Sequence, residues 1–86
     1  MFTVVWTNRA LDKLADKYVE LDLSEQDALG AKIDALNHRL HRDPSDEGES
    51  RAAGYRVTFV EDLTIRFTIE PDEMVVRVYG VRRRGE

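Results

Sequence analysis

Residues 55–79, YRVTFVEDLTIRFTIEPDEMVVRVY, decide the fold of this chain. Apolar and polar residues alternate here with a period of two, the repeat of a strand with one buried face. The cleanest strand is Leu63, Ile65, Phe67 and Ile69, alternating with Thr64, Arg66, Thr68 and Glu70. Before it, Tyr55, Val57 and Phe59 alternate with Arg56, Thr58 and Val60. After it, Met74, Val76 and Val78 alternate with Val75, Arg77 and Tyr79. Glu61-Asp62 and Pro71-Asp72-Glu73 separate the three runs. Strands joined by such tight turns predict an antiparallel meander.

Working outward, the residues before the meander read as helices. Leu11, Leu14, Tyr18 and Leu21 stand at helical spacing, which predicts a first helix over residues 8–20 with Thr7 or Asn8 at its cap. Leu29, Ile33, Leu36 and Leu40 mark one face of a second helix ending near Arg42. Ser24 with Asp27 resembles a capping box at its start, and Asp43-Pro44 stops it, since proline disfavours a helical predecessor. Phe2–Trp6 reads as a strand, with Trp6 on its apolar face. Residues 43–54 form a polar loop. The fold class expected is therefore α+β, in the order β-α-α-β-β-β, with a helical hairpin packed on one face of a small antiparallel sheet. The position of the first strand in that sheet is left open.

Length and composition agree. The chain has 86 residues, 42% hydrophobic and 35% charged, which fits one globular domain over residues 1–86 with a thin core. There is no cysteine, so a disulfide scaffold, a thiol nucleophile and a cysteine zinc site are excluded. No apolar run approaches the roughly 20 residues of a membrane helix, and no basic start precedes an apolar segment, so a cytoplasmic location is expected. His38 and His41 sit three apart with no third ligand in view, and at a helix C-terminus they read as caps. No metal and no cofactor is expected.

Charge is uneven. The net charge is −4, yet residues 1–50 carry six Lys and Arg against eleven Asp and Glu, while residues 51–86 carry seven Arg, no Lys and six Asp and Glu. If the apolar positions of the meander face the helices, Arg56, Arg66, Arg77 and Tyr79 share the opposite face. Cross-strand neighbours lie about 5 Å apart, and like charges that close call for an anion or a carboxylate among them. Arg82, Arg83 and Arg84, just past the expected last strand, extend the same positive surface.

The element order, the opening FTVVWT, GES-R at 48–51, GYRV at 54–57, LTIRFTI at 63–69 and VVRVYGVRRR at 75–84 resemble the RelE/ParE toxin superfamily of bacterial type II toxin–antitoxin pairs. The resemblance spans essentially the whole chain. It implies a small toxin neutralised by a cognate antitoxin protein. The RelE branch cleaves messenger RNA in the ribosomal A site; the ParE branch inhibits DNA gyrase without cutting nucleic acid. Arg66 matches the arginine that lies at the RelE-like active site, Arg83 or Arg84 the basic residue after the last strand, and Glu49 and Arg51 the variable loop position.

Cleavage by this route needs a base for the ribose 2′-hydroxyl, an acid for the leaving oxygen and cations for the phosphorane. Arg56, Arg66 and Arg77 suit the cationic task, Glu49 that of base, and Tyr79 that of proton donor or base-stacking ring, and the resemblance implies that Arg84 joins them as a catalytic residue. Arg51, Arg77, Arg82 and Arg83 are expected to bind phosphate. Overall acidity and the lack of a tyrosine or histidine beyond the last strand favour the alternative, a ParE-like or catalytically silent binding module.

Overall fold

The structure, a computed structural model, describes residues 1–85. Its elements are β1 (Thr3–Trp6), α1 (Asn8–Tyr18), α2 (Leu23–Arg42), β2 (Glu49–Ser50), β3 (Arg56–Val60), β4 (Leu63–Glu70) and β5 (Val75–Arg83). The five strands form one sheet in the order β1-β5-β4-β3-β2. β3, β4 and β5 are antiparallel neighbours, as the tight turns require; β2, a short strand within the expected loop, pairs antiparallel with β3, while β1 runs parallel to β5 at the edge. The sheet is thus mixed rather than wholly antiparallel. The helical connection between β1 and the meander supplies the long crossover that a parallel pair needs.

Both helices are capped by their own sequence. The Thr7 hydroxyl accepts the Ala10 N–H at 3.2 Å, which starts α1. α2 begins at a reciprocal box made by Asp22 and Glu25, not by Ser24 and Asp27. The Asp22 carboxylate accepts the Glu25 N–H at 2.8 Å, and the Glu25 carboxylate accepts the Asp22 N–H at 3.0 Å. Two backbone donors that a helix start leaves unpaired are satisfied together. Asp43 and Pro44 end α2 as expected. His41 Nδ1 contacts the Phe2 carbonyl at 2.5 Å, so it ties the end of α2 to the start of β1. Trp6 is partly buried against the core, and its indole N–H donates to Asn37 Oδ1 at 2.8 Å.

The core lies between the helices and one face of the sheet. Ala10 and Leu14 of α1 and Leu29, Ile33, Leu36 and Leu40 of α2 meet Val60, Leu63, Ile65, Phe67, Val76, Val78 and Val81. Each fully buried leucine or isoleucine contributes about 1.5–3 kcal/mol relative to exposure.

β3 presents the opposite face to the one expected. Glu61-Asp62 is a two-residue turn, so Val60 pairs with Leu63, Thr58 with Ile65 and Arg56 with Phe67. Directly opposed residues in an antiparallel pair share a face. Leu63, Ile65 and Phe67 are in the core, so Val60, Thr58 and Arg56 point to the helix side. Tyr55, Val57 and Phe59 point to the open side. β5 also runs further than expected, so Arg82 and Arg83 lie inside the strand.

Candidate functional site

The centre of the open face is Arg66. Its guanidinium carbon lies 5.2 Å from the centre of the Tyr79 ring and 5.6 Å from that of Tyr55. The two rings meet edge to face, 6.3 Å apart at 86°. Planar cations on aromatic faces gain about 0.5–2 kcal/mol each, more as water is excluded. Arg66 Nε is buried and has no hydrogen-bond partner among the described residues.

The backbone makes room for this arrangement. The register of β4 on β5 slips between Arg66 and Phe67: Arg66 opposes Gly80 while Phe67 opposes Val78. Tyr79 is the extra residue, and the bulge turns its ring towards Arg66. Gly80 leaves room beside it: a Cβ there would stand 3.0 Å from Arg66 Nε, so the arginine would have to shift slightly.

Around this centre the surface is basic and aromatic. Arg84 places its guanidinium carbon 4.7 Å from the centre of the Phe59 ring. On the α1 side of Arg66 and Tyr79 is a concavity of about 460 Å³, closed by Arg9, Lys13, Gly80, Val81 and Arg82. On the other side Tyr55, Thr64 and Arg82–Gly85 line a second of about 320 Å³. No carboxylate or imidazole lines either one, among the described residues.

Several residues expected at the site are elsewhere. Arg56 does not converge with Arg66. From the helix-side face it donates to the Glu47 and Gly48 carbonyls at 3.0 and 3.1 Å and to Ser50 Oγ at 2.8 Å, which pins the loop. Gly48 accepts this close docking because its φ is +68° and a Cβ would fall 2.1 Å from the Val57 carbonyl oxygen. Arg77 shares the open face but is engaged by Glu70, with Nε–Oε2 at 2.9 Å and a second contact at 3.3 Å. The hydrogen bond from Arg77 lowers the Glu70 carboxyl below the usual range, and the same pair raises Arg77. Arg83 borders the second concavity, but its guanidinium pairs with Glu20 of the chain following α1.

Glu49 and Arg51 occupy the β2 edge. Glu49 opposes Val57, which opposes Arg66, so the carboxylate belongs to the same cross-strand row. Two pairings of about 5 Å put its backbone about 10 Å from that of Arg66. Its carboxylate accepts from Arg51 at 2.7 Å, so the two charges satisfy each other.

A second satisfied cluster lies beneath the loop. Glu47 accepts from Arg39 Nε at 2.7 Å and from the Thr58 hydroxyl at 2.5 Å. Burial opposes its charge, but these hydrogen bonds prevail and hold the carboxyl below its ordinary value.

Sequence reasoning missed Tyr55, Phe59, Gly80, Arg9 and Lys13. The two-residue turn at Glu61-Asp62 would have placed the first two: once Leu63 is in the core, parity sends Phe59 and Tyr55 outward. Gly80 had a weaker signal, a lone glycine within a strand. Arg9 and Lys13 are four apart on a helix, hence on one side of it. That α1 lies against β5, beside Arg66, is a tertiary fact.

No family model matches the chain, and no curated protein sequence matches it. Solved structures do. A structure of the chromosomal ParDE TA system from P. aeruginosa matches with a TM-score of 0.69 at 24% identity, over 98% of this chain and 97% of that one. The isolated E. coli RelE toxin matches with a TM-score of 0.64 at 12% identity, over 100% of this chain and 87% of that one. This chain has the RelE/ParE toxin fold. The toxin–antitoxin complex RelBE2 from Mycobacterium tuberculosis matches too, with a TM-score of 0.64 at 18% identity over 99% and 93% of the two chains. At these identities the likeness is one of fold, so the meaning of the Arg66 cluster within this RelE/ParE scaffold rests on its own chemistry.

No cluster of three potential metal ligands exists among the described residues, and no helix there is long and apolar enough to cross a membrane. A guanidinium between two phenols can hold a negatively charged phosphorus centre and offer an O–H to a leaving oxygen.

Proposed function

We propose that this chain is the toxin of a bacterial toxin–antitoxin pair, held inactive by a cognate antitoxin, and that it cleaves messenger RNA on the ribosome. The single observation that carries the reading is Arg66, set between Tyr55 and Tyr79 with no carboxylate lining the concavities beside it, among the described residues. In the cleavage step the ribose O2′ bonds to the adjacent phosphorus and the P–O5′ bond breaks, leaving a 2′,3′-cyclic phosphate. Arg66 stabilises the charge gathered on the phosphorane oxygens. Tyr79 gives its phenolic proton to O5′. The 2′-hydroxyl proton goes to Glu49, which must first exchange its ion pair with Arg51 for the substrate. The bound message, positioned by the ribosome, supplies the rest of the geometry.

A second reading is supported by the empty place for a base. Neither concavity beside Arg66 carries a carboxylate or imidazole among the described residues, and the ParDE match extends over nearly the full length of both chains. On this reading the toxin binds a target such as DNA gyrase and cuts nothing. Inducing the chain in bacteria and mapping RNA 5′ ends separates the two. New message ends that vanish with Arg66→Ala support cleavage. Growth arrest with a DNA-damage response and intact messages supports the second reading. Unimpaired growth contradicts both.

A further inference from the structure

α1, packed against β5, also builds a wall beside Arg66. Arg9 and Lys13 are exposed, four residues apart, and line the 460 Å³ concavity together with Arg66, Tyr79 and Arg82. Neither Arg9 nor Lys13 has an ion-pair partner among the described residues.

Their placement is electrostatically costly. Arg9 stands in the first turn of α1, where the helix dipole disfavours a cation, and no acidic residue in that turn offsets it. Arg9, Lys13 and Arg66 then face one concavity that no carboxylate lines, among the described residues. An anion seated there would relieve both effects. A further sign is independent of the helix: Arg66, whose buried Nε has no hydrogen-bond partner among the described residues, stands in the wall of the same concavity beside Gly80.

The wall is not only cationic. Tyr79 gives it one aromatic side, which an acidic peptide does not require and a nucleobase or ribose does. The volume is in the range of pockets for single small ligands rather than of a helix-binding groove.

We propose that α1 contributes a phosphate-binding wall, with Arg9 and Lys13 acting beside Arg66 and Arg82 to hold a nucleoside phosphate unit. This rests on the reading of the Arg66 face as the target-binding surface, and it adds two residues from a different element to that surface. The unit can come from a free nucleotide or from a strand of RNA.

The test uses the purified full chain, with the growth assay run separately. A five-nucleotide RNA made uncleavable by 2′-O-methyl groups, a mononucleotide and a Glu/Asp-rich peptide are titrated at several salt concentrations. The RNA is expected to bind, and Arg9→Gln/Lys13→Gln to weaken it at least tenfold with an unchanged circular-dichroism spectrum. Removing two phosphate contacts should lower the slope of log K against log salt by about 1.4. Arg9→Lys/Lys13→Arg should restore binding. A mononucleotide that also binds identifies the free nucleotide as sufficient; binding of RNA alone identifies a strand. Unchanged RNA affinity and slope in the Gln variant overturn the proposal, as does binding of the peptide alone. Growth arrest by a chain whose RNA binding ignores Arg9 and Lys13 leaves the toxin reading standing and this inference failed; the reverse pattern fails the toxin reading only.

Discussion

Arg56 and Arg66 stand on paired strands, one residue apart in the cross-strand ladder, yet they have opposite fates. Arg56 opposes Phe67, while Arg66 opposes Val57. Arg56 points to the helix side and donates to two carbonyls and a hydroxyl of the loop. Arg66 points to the open side, rests on two tyrosine rings and keeps a buried donor without an acceptor among the described residues. The difference separates two jobs for one side chain. An arginine whose hydrogen bonds are all made at home holds the fold together. One surrounded by rings and other cations is stable only at a cost, and that cost falls when an anion arrives.

The sharpest way to break this comparison is Arg66→Ala. Growth arrest on induction should be lost, while the unfolding free energy falls by about 1–2 kcal/mol, because two cation–ring contacts are removed. Arg56→Ala should do the reverse. It frees the loop and leaves acceptors unpaired, a loss of about 2–3 kcal/mol read as a lower urea midpoint. Toxicity should fall only as far as the folded fraction does. Gly80→Ala comes next. A methyl 3.0 Å from Arg66 Nε crowds the side chain and should shift the guanidinium slightly on its rings, at a cost of about 1 kcal/mol, and weaken growth arrest.

The smallest effect concerns pH and belongs to the satisfied side of the comparison. The Glu47 carboxyl is held below its ordinary 4.5, and that of Asp62 is held below 3.8, chiefly by the hydrogen bond from Lys17. Depressed carboxyls stabilise the fold fully above those ordinary values. The contribution is lost as pH falls through the lower values of the folded chain. Stability measured by urea unfolding should therefore decline on the acid side of about pH 4.5, and Glu47→Gln should flatten the decline. Arg66→Ala should leave it unchanged.

Local signals in the sequence carried the helices, the two turns and the three long strands. Leu29, Ile33, Leu36 and Leu40 do form the buried stripe of α2, and Leu63, Ile65 and Phe67 the inward side of β4. Three features were not read. In β3, both alternating sets contain apolar residues, so hydropathy alone does not choose between Tyr55-Val57-Phe59 and Arg56-Thr58-Val60; the register imposed by the turn does. Thr58 can then be buried only because Glu47 accepts its hydroxyl, a partner eleven residues away. The parallel placement of β1 depends on packing against a strand about seventy residues later, for which no local pattern exists. The candidate site inherits these gaps: Arg66, Tyr79, Arg82 and Arg84 were legible, whereas the aromatic partners on β3 and the α1 wall were not.

The central claim is that the planar guanidinium of Arg66, held between Tyr55 and Tyr79, is the group that meets the target. Growth on induction of Arg66→Lys, measured with its urea midpoint, tests it most directly. Lysine keeps the charge but loses the flat fork. The account predicts that these cells grow through induction while the midpoint stays at the parent value. Arrest as complete as that caused by the parent chain would contradict it.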